Sequence, residues 1–154
     1  MSRYRLHYAP DNASLAVRLT LEELHVAFDT ILVDRRRHGQ RAPGYIALNP
    51  NGLIPVLETP QGPIFETAAI LLWLADTHGR LAPAPQDVGR TTMLKWLFFL
   101  SNTLHPALRI LFYPANYIGD DAADQTRLQQ VTRATILRHL RTLDTAWDGR
   151  TQID

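Results

Sequence analysis

The apolar positions change their period several times along the chain, and each change marks an element. Residues 5–8, Arg-Leu-His-Tyr, alternate in character, as a strand with successive side chains on opposite faces does. Pro10 breaks the run, and Ser14 is a residue type that caps helices by accepting a backbone N–H of the first turn. Leu15, Leu19 and then Leu24 or Val26 keep helical spacing, with Glu22 and Glu23 on the outer side. Residues 28–33 are apolar and β-branched and predict a second strand. Residues 34–42 form a basic loop around Arg35-Arg36-Arg37, and residues 43–48 a short helix. Val56-Leu57 and Ile64-Phe65, joined by Thr59-Pro60-Gln61-Gly62, predict a hairpin. A strongly apolar helix over 66–77 then ends near Gly79 as its C-terminal cap.

This order, β-α-β-α-β-β-α, is the α/β thioredoxin-like arrangement, expected over residues 1–79. Residues 80–88 contain Leu81-Ala82-Pro83-Ala84-Pro85, a stiff, extended connector. Residues 89–154 predict a partial all-α domain with two long helical patterns. One runs over 89–112 and is expected to kink near Pro106. The other spans 122–147, with Leu128, Val131, Ile136, Leu140, Leu143 and Trp147 on one face. Trp73, Trp96, Phe98, Phe99 and Phe112 are expected in the core or between helices, and the apolar excess over 89–112 is a candidate dimer face.

Composition narrows the chemistry. At 154 residues, 45% hydrophobic and 20% charged, the chain has ordinary globular values. A net charge of +1 argues against nucleic acid as a main partner. No apolar run approaches the roughly 18 residues that span a bilayer, and the first residues lack the apolar segment of a signal peptide. A cytoplasmic protein with no membrane partner is expected. The six histidines are scattered without ligand spacing, so no metal is expected. The absence of cysteine excludes disulfides, CxxC redox chemistry and a protein thiolate nucleophile. Any thiol used here must arrive on a substrate.

The densest signal is Asn49-Pro50-Asn51-Gly52-Leu53-Ile54-Pro55-Val56-Leu57, followed by Phe65-Glu66-Thr67-Ala68-Ala69-Ile70. Asn-Pro and Asn-Gly are turn dipeptides. Pro55 stands at the mouth of an apolar run, where a missing N–H is tolerated. An X-Pro bond in such a turn can be cis, which would free the backbone of Ile54 for a ligand. Glu66-Thr67 opens a helix whose N-terminal amides and dipole favour an anion. The two motifs, in this order and separation, resemble the glutathione-site signature of the glutathione S-transferase family. The segment Tyr8-Ala9-Pro10-Asp11-Asn12-Ala13-Ser14-Leu15-Ala16 resembles the bacterial beta class, with Ala13 where that class has a cysteine.

The resemblance implies glutathione as co-substrate and a hydrophobic electrophile as second substrate, in a homodimer. Leu53, Ile54 and cis-Pro55 would hold the cysteinyl part, and Glu66 and Thr67 the γ-glutamyl end. Arg37 would reach the glycyl carboxylate. Ser14 is the candidate to activate the thiol, with Tyr8 and His105 as alternatives, and Ser14 as a simple helix cap remains open. Tyr8, Pro10, Asn12, His105 and Tyr113 would line the electrophile pocket, with Asn102 and Thr103 as weaker candidates. The activation is modest in size. Lowering a thiol pKa of about 8.5 by about two units takes about 2.7 kcal/mol, the scale of one charge-assisted hydrogen bond plus a dipole term. The family usually continues with several more helices, so the resemblance also implies a shortened C-terminus. A non-catalytic binding or stress-response protein of the same fold is the competing expectation.

Overall fold

A computed structural model describes residues 4–147. The chain divides into two units, Met1–Gln86 and Asp87–Asp154, and the division falls inside the stretch 80–88. The tail from Asp148 onward, on which the expectation of a shortened C-terminus falls, lies outside the described residues.

The first unit carries β1 (Tyr4–Tyr8), α1 (Ser14–Glu23), β2 (Phe28–Leu32), α2 (Pro43–Ile46), β3 (Val56–Thr59), β4 (Gly62–Phe65) and α3 (Thr67–His78). Its four strands lie in the order β2-β1-β3-β4. β1 runs parallel to β2 and antiparallel to β3, and β3 pairs antiparallel with β4. This is the thioredoxin-like fold. Strand alternation sends Leu6 and Leu57 to one face, where they pack with Val17 and Leu21 of α1, Leu24 just after it, and Ile70 and Leu74 of α3. Each such buried side chain contributes about 1.5–3 kcal/mol. Val56 faces the other way and packs with Val33 and Tyr45.

The second unit carries α4 (Gly89–Phe99), a π-helical stretch (Leu100–Leu104), α5 (His105–Phe112), α6 (Ala115–Ile118) and α7 (Ala122–Trp147). Leu104, Ala107 and Ile136 form its core, with Leu108, Leu111 and Leu143 against them. Among the described residues no helix is long and apolar enough to cross a membrane.

Several expectations needed correction. Helical spacing selected Leu15 and Leu19 as the inner face of α1, yet they are 60% and 55% exposed, and Ser14, Val17 and Leu21 are buried. Both sets have helical spacing, and the sheet beneath decides which turns inward. The same holds on α7, where Ile136 is buried but Val131, Leu140 and Trp147 are exposed. Phe98 and Phe112 are exposed rather than core residues. Near Pro106, where a kink is expected, the helical run 89–112 is continuous but passes through a π-helical turn. Proline has no N–H to give to Asn102, and the turn before it widens, so that His105 N–H bonds Leu100 O.

Candidate functional site

The strand registers bring four loops to one edge of the sheet. His7 pairs with Val56, and Val56 with Phe65. The exit of β1 at Tyr8, the entry of β3 at Pro55 and the exit of β4 before Glu66 are therefore neighbours. β2 is parallel to β1, so its exit lies at the same edge. With strands about 4.8 Å apart, this edge spans about 14 Å from β2 to β4. Of the predicted residues it gathers Tyr8, Pro10, Asn12, Ser14, Arg37, Leu53, Ile54, Pro55, Glu66 and Thr67.

At the centre is the turn before β3, and its Ile54–Pro55 peptide is cis. The turn is held from within. Gly52 takes φ +61, and its N–H donates to Asn49 O at 2.9 Å. Asn49, 2% exposed, accepts Asn51 N–H through Oδ1 at 3.1 Å. Its Nδ2 donates to Leu53 O at 2.8 Å, and Tyr45 Oη donates to the same oxygen at 2.7 Å. Burial pushes the Tyr45 pKa up to about 12, so the phenol stays a donor.

One strand away, Glu66 precedes α3 with φ 70 and ψ 113, outside the ordinary regions for an L residue. Its side chain does not cap the helix, and it is exposed. Thr67, half-buried, is the first helical residue. A strained residue held beside an uncapped helix start leaves a carboxylate, a hydroxyl and amide donors on one short arc.

The loop between β1 and α1 departs from expectation in detail. Ser14 is not the N-cap. It is the first residue of α1, and Ala13 takes the cap position with helical angles. Asn12 Oδ1 instead accepts Ser14 N–H at 2.8 Å. The Ser14 hydroxyl, 2% exposed, donates to Ala9 O at 3.1 Å and accepts Ala9 N–H at 3.4 Å. Tyr8 is half-buried against the core beneath the helices, and Pro10 is exposed.

The arginine run forms a tight helical turn, Arg35–Arg37, capped by the Asp34 side chain on Arg36 N–H at 3.0 Å. Arg37 is exposed. Arg35 is the one that crosses to the neighbouring loop, donating to Pro10 O at 3.0 Å. His105 and Tyr113 belong to the second unit, at the first residue and the C-terminal cap of α5, and both are exposed. Asn102 and Thr103 lie in its π-helical stretch.

Sequence reasoning missed Tyr45, Arg35 and a buried polar group beneath the turn. His7 Nε2 meets Glu58 Oε1 at 2.7 Å, Arg5 Nη2 donates to Glu58 Oε2 at 2.6 Å, and the His7 ring packs edge-on against Tyr45, centroids 5.7 Å apart. Strand alternation alone would have put His7 on the face opposite Leu6, but no spacing marks Tyr45. Among the described residues no group of histidine and acidic side chains could hold a metal.

Comparison with known proteins identifies the family and the fold. The family model of the glutathione S-transferase N-terminal domain matches residues 13–77. A glutathione S-transferase of Xanthomonas campestris is 30% identical over 150 residues, covering 96% of this chain and 70% of that protein. The Escherichia coli O157:H7 glutathione S-transferase GstA is 32% identical over 115 residues, with 71% and 57% covered. A Burkholderia graminis glutathione transferase, solved with two glutathione molecules bound per subunit, is 31% identical with a TM-score of 0.85, covering 98% of this chain and 65% of that one. The chain thus matches about 57–70% of the length of these relatives. On its sequence and its fold, the chain belongs to the glutathione S-transferase family.

Proposed function

We propose that this chain binds glutathione along the sheet edge and transfers its thiolate to an apolar electrophile. The observation that carries this reading is the register that sets the cis-Pro55 turn beside Glu66-Thr67. An extended tripeptide is about 10 Å long, which fits an edge of about 14 Å. The γ-glutamyl ammonium meets the Glu66 carboxylate, and its carboxylate meets Thr67 and the first amides of α3. The cysteinyl backbone pairs with Ile54 as an added strand would. The glycyl carboxylate faces the arginine turn, with Arg37 as its partner and Arg35 bracing the loop. The relative from Burkholderia graminis, solved with glutathione, supports the ligand. A homodimer goes with this reading, checked by sedimentation.

The sulfur then lies over the start of α1, where the helix dipole favours the thiolate. Ser14 is the hydroxyl at that start, and its single proton is engaged with Ala9 O. It donates to sulfur only if that bond opens, and otherwise it positions the loop. Ser14→Ala separates the two roles. A conjugation rate lowered about tenfold or more at unchanged glutathione affinity supports donation. A parallel loss of both supports positioning, and no change in either removes Ser14 from the site.

The engaged Ser14 proton also favours a second reading, binding without turnover. Calorimetric titration of the 154-residue chain with glutathione comes first. Binding that Glu66→Ala loses supports the site, whereas no binding by a folded wild-type chain refutes it. Turnover with a general apolar electrophile then decides between transferase and binding protein.

A further inference from the structure

We infer that Tyr45 and Asn49 are positioning residues for the proposed glutathione site, acting through the Leu53–Ile54 peptide plane on the Ile54 N–H. The inference rests on the reading of that site as a glutathione site. Leu53 O accepts two side-chain donors at once, Tyr45 Oη at 2.7 Å and Asn49 Nδ2 at 2.8 Å. Both donor residues are buried, at 6% and 2% exposure, so the two donors are held in place by their packing. A carbonyl has two lone pairs, and here both are taken by rigidly packed groups.

The consequence follows from peptide geometry. The Leu53–Ile54 bond is not among the cis peptides of the described chain. In a planar trans unit the C=O and the following N–H point in opposite directions. Pinning Leu53 O inward therefore aims Ile54 N–H away from Tyr45 and Asn49, and the plane cannot rotate without breaking two bonds. Ile54 N–H is the donor that the cysteinyl carbonyl of glutathione needs. Asn49 also ties the turn through Asn51 N–H and Gly52 N–H, so it sets the turn as well as the plane. The Tyr45 hydroxyl donates to Leu53 O, and its ring is held edge-on by His7. The phenol hydroxyl is thus the part that can be removed most cleanly.

Tyr45→Phe tests this, since it keeps the ring and its packing. Binding is measured for glutathione and for γ-glutamylethylamide, which keeps the γ-glutamyl end and its amide N–H but lacks the cysteinyl carbonyl. The expected result is a dissociation constant for glutathione raised about fivefold, an unchanged one for γ-glutamylethylamide, and a shifted Ile54 amide resonance. A fall of the same factor for both ligands means general loosening of the turn and overturns the inference. So does an unchanged glutathione affinity in a folded variant. Wild-type chain that binds neither ligand overturns the proposed site, and the inference with it. Wild-type binding with an unaltered variant overturns the inference alone.

Discussion

Gly52→Ala gives the sharpest test of how the turn is built. Gly52 sits at φ +61, and a Cβ placed there would lie 2.9 Å from Gln40 O, 3.1 Å from Arg41 Nη1 and 3.4 Å from Ile46 Cδ1. The arginine end can swing aside, but the Gln40 carbonyl is backbone and must move with its turn. Left-handed backbone costs an L residue about 1–2 kcal/mol, and overpacking of this kind about 1–3 kcal/mol. The expected loss is about 2–5 kcal/mol. For a chain of this size that lowers the melting midpoint by on the order of 10 °C. Gly44→Ala is the control, because the same methyl meets nothing within 4 Å in a short helix. It should be neutral or stabilising by about 0.5–1 kcal/mol. Both variants are read by circular-dichroism melting, followed by glutathione titration at a temperature where each is folded. The displaced turn should carry Leu53 O off its two donors, so Gly52→Ala should also weaken binding. A Gly52→Ala protein melting within a degree or two of wild type would refute the steric reasoning.

Two further outcomes follow from the same edge. Glu66→Gly should leave stability unchanged or raise it by up to about 2 kcal/mol, since glycine accepts φ 70 at a smaller entropic cost than the strain it relieves, while glutathione affinity falls tenfold or more. Destabilisation by more than about 1 kcal/mol in a melt would sink that account. Glu58 is the pH-sensitive group. Burial raises its pKa, but the hydrogen bond from His7 and the charge of Arg5 outweigh it and hold the carboxyl below its ordinary value. A depressed folded pKa stabilises above the unfolded value and loses that stability as pH falls through the folded one. Denaturant titrations of wild type and Glu58→Gln should therefore differ by about 1–3 kcal/mol near neutral pH and converge as pH falls through and below the ordinary glutamate range. A constant difference across that range would mean the carboxylate is not what Gln removes.

The sequence by itself determined the element order, because period changes and turn residues are local. Gly79 ends α3 in the left-handed conformation expected of it, and α7 runs over the helical pattern 122–147. The two motifs of the candidate edge were legible for the same reason. Asn-Gly, a proline at a strand mouth and an acid-hydroxyl pair at a helix start each state a local backbone need. Only tertiary structure decided which of two helically spaced sets, Leu15-Leu19 or Val17-Leu21, turns to the sheet, since a helix has several faces and the core takes one. It also decided that Ser14 bonds Ala9 rather than capping α1, and that Arg35 rather than Arg37 crosses to Pro10. Tyr45 stands eight positions before Leu53, yet its hydroxyl meets that carbonyl. Such a contact depends on how a turn folds back on a short helix, and no period in the chain records it.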